Sequence, residues 1–197
     1  MTLPEGFVVV RERARPLAPG DRREAILEAV LPLLREKGRD VTSREIADAA
    51  GVAEGTIFRA FGDKESLLEA GLVKLLEPEG FRERLRGIPR DLTLEDKVTR
   101  VIEELRARFG EVFRIMAVFG VDAPPPVGDA GSGEWIAILH ELFDDHVDEL
   151  TVPLETLAWY LRLVAFGGTI EPFNHFRPFD SSELASMVVR GVAAPGA

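Results

Sequence analysis

Cysteine is absent from the 197-residue chain, there is a single tyrosine, and histidine occurs three times. Without cysteine there is no disulfide, no thiol catalysis and no Cys-based zinc site. No stretch approaches the ~18 uncharged apolar residues that a membrane span needs. The run from Ile115 to Val121 is too short, and Arg162 interrupts the next candidate. Val8-Val9-Val10 precede a basic run, the reverse of a signal peptide's order, so a cytoplasmic protein without membrane attachment is expected. Positive charge is scarce: the formal net charge is −10. That balance taken alone argues against a nucleic-acid partner.

The charge is nevertheless uneven. Residues 1–76 are close to neutral at −1, and residues 77–197 carry −9. Arg11, Arg13, Arg15, Arg22 and Arg23 fall within thirteen positions near the N-terminus. A near-neutral part with a basic arm, joined to an acidic part, suggests two regions with different partners. The arginine run is either a solvated tail or an arm that reaches DNA.

Hydrophobic spacing is helical almost throughout, without sustained alternation or an internal repeat. Residues 1–20 hold Pro4, Gly6, Pro16, Pro19 and Gly20 and read as an arm. A helix follows from Asp21 to Gly38 on the stripe Ile26, Val30, Leu33 and Leu34. Pro32 inside it costs about 3 kcal/mol and predicts a bend. Thr42-Ser43-Arg44-Glu45 is a capping box opening a short helix that Gly51 ends. Glu54 to Phe61 and Lys64 to about Leu76 follow, the latter capped by Asp63. Glu77 to Asp91 is ambiguous. Further helices are expected over Thr93–Phe109, Glu111–Phe119, Glu134–Leu150, Leu154–Gly167 and from a Ser181-Ser182-Glu183 cap to Val192. Asp122 to Gly133 reads as a twelve-residue loop.

The segment Ser43–Phe61, SREIADAAGVAEGTIFRAF, has the order a helix-turn-helix requires. Ala47 is small enough for the second helix to cross closely, Gly51 supplies a positive-φ turn, and Val52 and Ile57 fill the wedge. The second helix can then enter a major groove while the first crosses the backbone. An ordinary helical hairpin shares the bare Ala-Gly-Ile spacing. The wider pattern T-S-x-E-I-A-x-A-A-G-V-A-x-G-T-I-F-x-x-F-x-x-K-E-x-L-L goes further and resembles the TetR family of bacterial repressors, over about Asp21 to Leu76.

The resemblance implies an all-α chain: a three-helix DNA-binding domain with a helix-turn-helix over residues 21–76, then a larger helical ligand-binding and dimerisation domain over residues 77–197. Ser43 and Thr56 match hydroxyls that bind phosphate, Thr42 before them is counted with the DNA-binding residues, Arg44 matches a position that can reach a base edge, and Ala53, Glu54 and Gly55 match the start of a recognition helix. Lys64 matches a phosphate clamp. Phe58 departs from the usual tyrosine, keeping its packing and losing its hydroxyl, and Arg59 is placed to offset that loss. Glu54 faces an anion unless it accepts from cytosine N4. The implied partners are double-stranded operator DNA, a second copy of the chain and a small hydrophobic effector. The two copies would pair through Leu157, Leu161, Val164, Leu184, Met187 and Val188.

An effector pocket is expected under the twelve-residue loop, walled by Phe113, Met116, Trp135, Leu139 and Trp159, with Arg114, His140, Tyr160, Asn174 and His175 as candidate polar groups. His140, Asp144, Asp145, His146, Asp148 and Glu149 read as a solvated acidic face, not a metal site. No nucleophile elbow, dinucleotide loop or P-loop is present, so no enzyme and no cofactor are expected. A regulator without a small inducer, and a helical adaptor or enzyme with a vestigial helix-turn-helix, are the alternatives.

Overall fold

A computed structural model describes residues 19–123, 130–171 and 175–192. The arm carrying Arg11, Arg13 and Arg15, most of the Pro-rich loop and Asn174 lie outside them. Helix α1 spans Pro19–Lys37 with Pro32 inside it. A 3-10 turn, Gly38–Asp40, leads to α2 (Ser43–Ala50), α3 (Glu54–Phe61) and α4 (Lys64–Leu75). Then come α5 (Glu79–Arg86), α6 (Leu94–Phe119) and α7 (Ala130–Phe143), and a 3-10 segment over Asp144–Glu149. Helices α8 (Leu154–Gly167) and α9 (Ser181–Val192) complete the described residues, among which there is no strand.

One ambiguity is resolved and four expectations are corrected. Residues 77–91, ambiguous in sequence, contain α5, whose Phe81 and Leu85 are buried on one side. The proposed break at Gly110 does not occur, and α6 runs unbroken for 26 residues. Glycine in a helix costs up to about 1 kcal/mol, but Phe109 and Phe113, on either side, both pack on Phe166 of α8 and hold the helix together. The loop is shorter than twelve residues because α7 begins at Ala130. Helix α7 ends at Phe143, and the acidic stretch after it tightens into the 3-10 segment. Finally, α9 is capped by Asp180, whose carboxylate accepts from the Glu183 amide at 2.8 Å while Glu183 accepts from the Asp180 amide.

Two hydrophobic cores organise these helices. One gathers Ile26, Val30, Leu34, Ile46, Ile57 and Leu67 from α1–α4, together with Ile115 and Phe119 from the end of α6. The other joins α5, the first half of α6, and α7–α9 around Val98, Ile102, Leu139, Leu157, Leu161 and Val188. Helix α6, about 39 Å long at 1.5 Å per residue, is therefore common to both. Its last turn meets the turn after α1. Gly38 lies in the left-handed region at φ 52°, and a Cβ there would come within 2.2 Å of the Val118 carbonyl oxygen.

Candidate nucleic-acid interface

The sequence builds the α2–α3 corner from both ends. The Thr42 hydroxyl accepts from the Glu45 amide at 3.2 Å, and the Glu45 carboxylate accepts from the Thr42 amide at 2.8 Å, the reciprocal capping box. Lys37 also donates to Glu45. Its ammonium, with the Thr42 donors, holds the carboxyl down at about 2. Gly51 closes α2 in the left-handed region at φ 64°, and the Val52 amide donates to the Ala47 carbonyl at 3.0 Å. Ala47, Ile46 and Ile57 are all buried where the two helices cross. Asp63 then caps α4 by accepting from the Ser66 amide at 2.7 Å.

This packing points one face of α3 outward. Ala53, Glu54, Gly55, Phe58 and Arg59 are exposed, while Ile57 and Phe61 turn inward and Thr56 is half-buried. Ala53 provides no side-chain cap, so the amino end of α3 keeps backbone donors free for an anion. Nothing lies within 4 Å of a Cβ built on Gly55. Arg59 lies back along the helix, its Nε donating to the Gly55 carbonyl at 3.0 Å.

The cations around this face are held differently. Arg44 is exposed and has no polar partner among the described residues. Lys64 is half-buried and donates to the Arg39 carbonyl at 3.0 Å. The Thr42 hydroxyl is committed to its cap, and Ser43 beside it is half-buried. Two arginines gain roles that their local sequence does not signal. Arg23 stacks 4.3 Å over Phe61 and donates to the Ala60 carbonyl at 3.0 Å, pinning α1 to the end of α3. Arg39 pairs with Glu65 of α4 at 2.6 Å and donates through Nε to the Phe119 carbonyl at 3.1 Å. The last turn of α6 is thereby tied to the corner. The partners of Arg39 lie 26 and 80 positions away in the chain, so periodicity cannot reveal them.

The residues expected to wall an effector pocket differ in burial. Trp135 and Leu139 are buried in the second core, and Trp135 stacks on Phe81 with ring centroids 6.0 Å apart. Phe113 is half-buried against Phe166, Met116 is buried further along α6, and Trp159 is 48% exposed. Of the candidate polar groups, His140 pairs with Glu155, and His175 borders an open cleft beside Arg106. His146 lies between Glu149 and the Leu92 carbonyl.

Four of the six side chains expected at a subunit interface are core of the single chain instead. Leu157, Leu161, Leu184 and Val188 are buried, Val164 is half-buried, and only Met187 is exposed. The sequence stripe is real, but it faces α6. The apolar side chains left outside on α8 are Trp159, Tyr160, Leu163 and Phe166.

Residues 26–70 match the family model of bacterial regulatory proteins of the tetR family. The chain is 47% identical over 55 residues to the HTH-type transcriptional regulator YvkB of Bacillus subtilis, covering 27% of this chain and 28% of that one. It is 35% identical over 95 residues to the HTH-type transcriptional repressor KstR2 of Rhodococcus jostii, covering 46% and 47%. These matches thus span less than half the length of either relative. The whole fold is similar to that of NalD of Pseudomonas aeruginosa, described as the secondary repressor of the MexAB-OprM multidrug efflux pump. That likeness has a TM-score of 0.50 at 23% identity and covers 90% of this chain and 100% of NalD.

Proposed function

We propose, from the match of residues 26–70 to the tetR family model and the likeness to KstR2, that the chain is a TetR-family repressor that binds a palindromic operator as a homodimer and is released by a small, mainly apolar ligand. The observation that carries this reading is the junction between the two cores. The exposed face of α3 and the cations Arg44 and Lys64 belong to a body whose core includes Ile115 and Phe119 of α6. The first half of the same helix belongs to the other core. A ligand that favours one setting of α6 shifts Gly38 and Arg39 with it, and hence the spacing of two recognition helices in a dimer. DNA and ligand then oppose each other reciprocally. Repression, not activation, is the sense carried by the names of KstR2 and NalD.

In this reading Arg44 contacts a base edge, Ser43, Thr56, Arg59 and Lys64 contact phosphates, and Gly55 allows the backbone close to DNA. The test is footprinting on the DNA flanking the protein's own gene. The expected result is a protected inverted repeat, with protection lost on adding a compound that also shifts tryptophan emission. Binding that is no tighter to any flanking fragment than to scrambled DNA removes the repressor reading. A regulator without a small inducer is the second reading, favoured by the burial of Met116, Trp135 and Leu139 in the chain's own packing. It takes over if the footprint forms and no apolar compound loosens it.

A further inference from the structure

Arg162, on α8, sits between two indoles. Its guanidinium carbon is 5.8 Å from the centre of the Trp135 ring and 5.6 Å from that of Trp159. No hydrogen bond or ion pair engages it among the described residues. Burial pushes its pKa down from the ordinary value, and no carboxylate opposes that push. Two carboxylates on the same helices are already taken. Glu134, next to Trp135, pairs with both Arg82 and Arg86, and Glu155, on α8, accepts from His140. Trp135 adds a second unsatisfied donor, for its Nε1 is buried without a partner. A guanidinium has five N–H groups in its plane, while stacking uses only its faces. A half-buried cation whose edges are unpaired, beside a buried N–H with no acceptor, is short of acceptor oxygen.

An apolar strip runs on from this point. Trp159, Arg162 and Phe166 recur at i, i+3 and i+7 on one side of α8. Phe166 meets Phe109 and Phe113 of α6 edge-on, at 5.4 and 5.8 Å between ring centroids. The strip thus has a cation beside Trp159 and aromatic rings starting roughly 6 Å further along the helix, at 1.5 Å per residue. It runs along the seam where Phe166 of α8 packs on Phe109 and Phe113 of α6, away from Leu163, which is 67% exposed.

We propose that Arg162, with Trp135 and Trp159, receives the carboxylate of an amphipathic small molecule whose apolar part lies along Phe166, Phe109 and Phe113. A planar carboxylate meets the edge of a guanidinium through two parallel hydrogen bonds and supplies the missing oxygens. A carboxylate from a second copy could offer the same oxygens. However, the aromatic strip turns inward toward α6, so a free ligand reaches all of it. The effect on DNA rests on the repressor reading above, whereas the binding itself does not.

The experiment compares decanoate with decanol, both below their aggregation limits, on the full chain by calorimetry and tryptophan emission. Decanoate is expected to bind about tenfold more tightly than decanol, the difference one charge-assisted contact supplies. Arg162→Gln is expected to erase that preference and Arg162→Lys to keep part of it, with melting temperatures near that of the unmodified protein. Equal binding of the two compounds, absence of saturable decanoate binding, or a preference that survives Arg162→Gln overturns the proposal. So does a variant that dissociates into single chains with decanoate affinity unchanged, because Arg162 then serves a second copy. If Arg162→Gln does not fold, the decanoate–decanol ratio of the unmodified protein and of Arg162→Lys decides. Operator binding of the ligand-free protein is measured separately. Its absence removes the repressor reading and leaves the carboxylate site untouched.

Discussion

Arg44 and Lys64 carry the same charge but are held in different ways, and that difference separates their expected roles. Arg44 projects from the first turn of α2 with both edges of its guanidinium free, the form suited to two parallel bonds to guanine. Lys64 is anchored by the Arg39 carbonyl, which leaves its remaining N–H groups for a fixed point of negative charge. Lys64→Ala is expected to weaken operator and scrambled DNA together. It should also lower the slope of log K against log salt by about 0.9 for each phosphate left without its cation, two per dimer. Arg44→Ala is expected to cost about 1–3 kcal/mol per half-site on the operator, relax preference at one base pair and change scrambled DNA less. Titration of both variants against both DNAs at several salt concentrations checks the contrast, and equal weakening on both DNAs for Arg44→Ala makes it a backbone contact. The candidate DNA face was legible in sequence because every residue in it lies within 23 positions, between Thr42 and Lys64. Arg39 was not, since its significance lies in a carbonyl on α6.

Two glycines test the elements rather than the contacts. Gly38 sits at φ 52° with the Val118 backbone against it, so Gly38→Ala must strain the left-handed turn and push the end of α6 away. It is expected to lower stability by more than the ~1 kcal/mol of the backbone strain alone, read by thermal or urea unfolding. Gly55, in the first turn of α3, has open space around it in the free protein. Gly55→Ala is expected to leave stability unchanged or raise it by up to about 1 kcal/mol through helix propensity, yet to weaken operator binding if DNA approaches that backbone. Unimpaired binding by a stable Gly55→Ala protein removes the close approach. The elements that sequence located well are those with local punctuation: the Thr42–Glu45 box, Gly51, Asp63 and the Leu154–Gly167 stripe. Helix α5 was missed because Pro78, Gly80, Gly87 and Pro89 outweigh eight helical residues, whose formation depends on Phe81 reaching Trp135. The false break at Gly110 has the same origin: long-range packing of Phe109 and Phe113 overrides a weak local preference.

For the molecule as a whole, charge and exposed surface bear on the same question. Most of the net charge of −10 lies in residues 77–197, so general attraction to DNA is weak and a few placed cations must supply it. Doubling those cations on one rigid body is the simplest remedy, and a two-fold dimer matches a palindromic site. The surface available for pairing is not the stripe that sequence suggests, since Leu157, Leu161, Leu184 and Val188 already hold the chain's own core. The side chains proposed for it are those left exposed on α8 and α9, Leu163 at 67% and Met187 at 51%, with Tyr160 one turn before Leu163. Burying such side chains contributes roughly 1.5–3 kcal/mol each, whereas a carboxylate placed among them must be desolvated. Leu163→Glu, alone and with Met187→Glu, is therefore expected to yield folded single chains by light scattering at concentrations where the unmodified protein has twice the 21.7 kDa mass of one chain. The helical circular dichroism signal should be kept. Operator affinity should fall far more than affinity for a single half-site, because only the link between two recognition helices is cut. Leu161→Glu makes the opposite case: that side chain is fully buried within one chain, and the substitution is expected to unfold the second core. A Leu163→Glu, Met187→Glu protein that remains dimeric would place the subunit contact elsewhere on the molecule and leave the exposed face of α8 without this role.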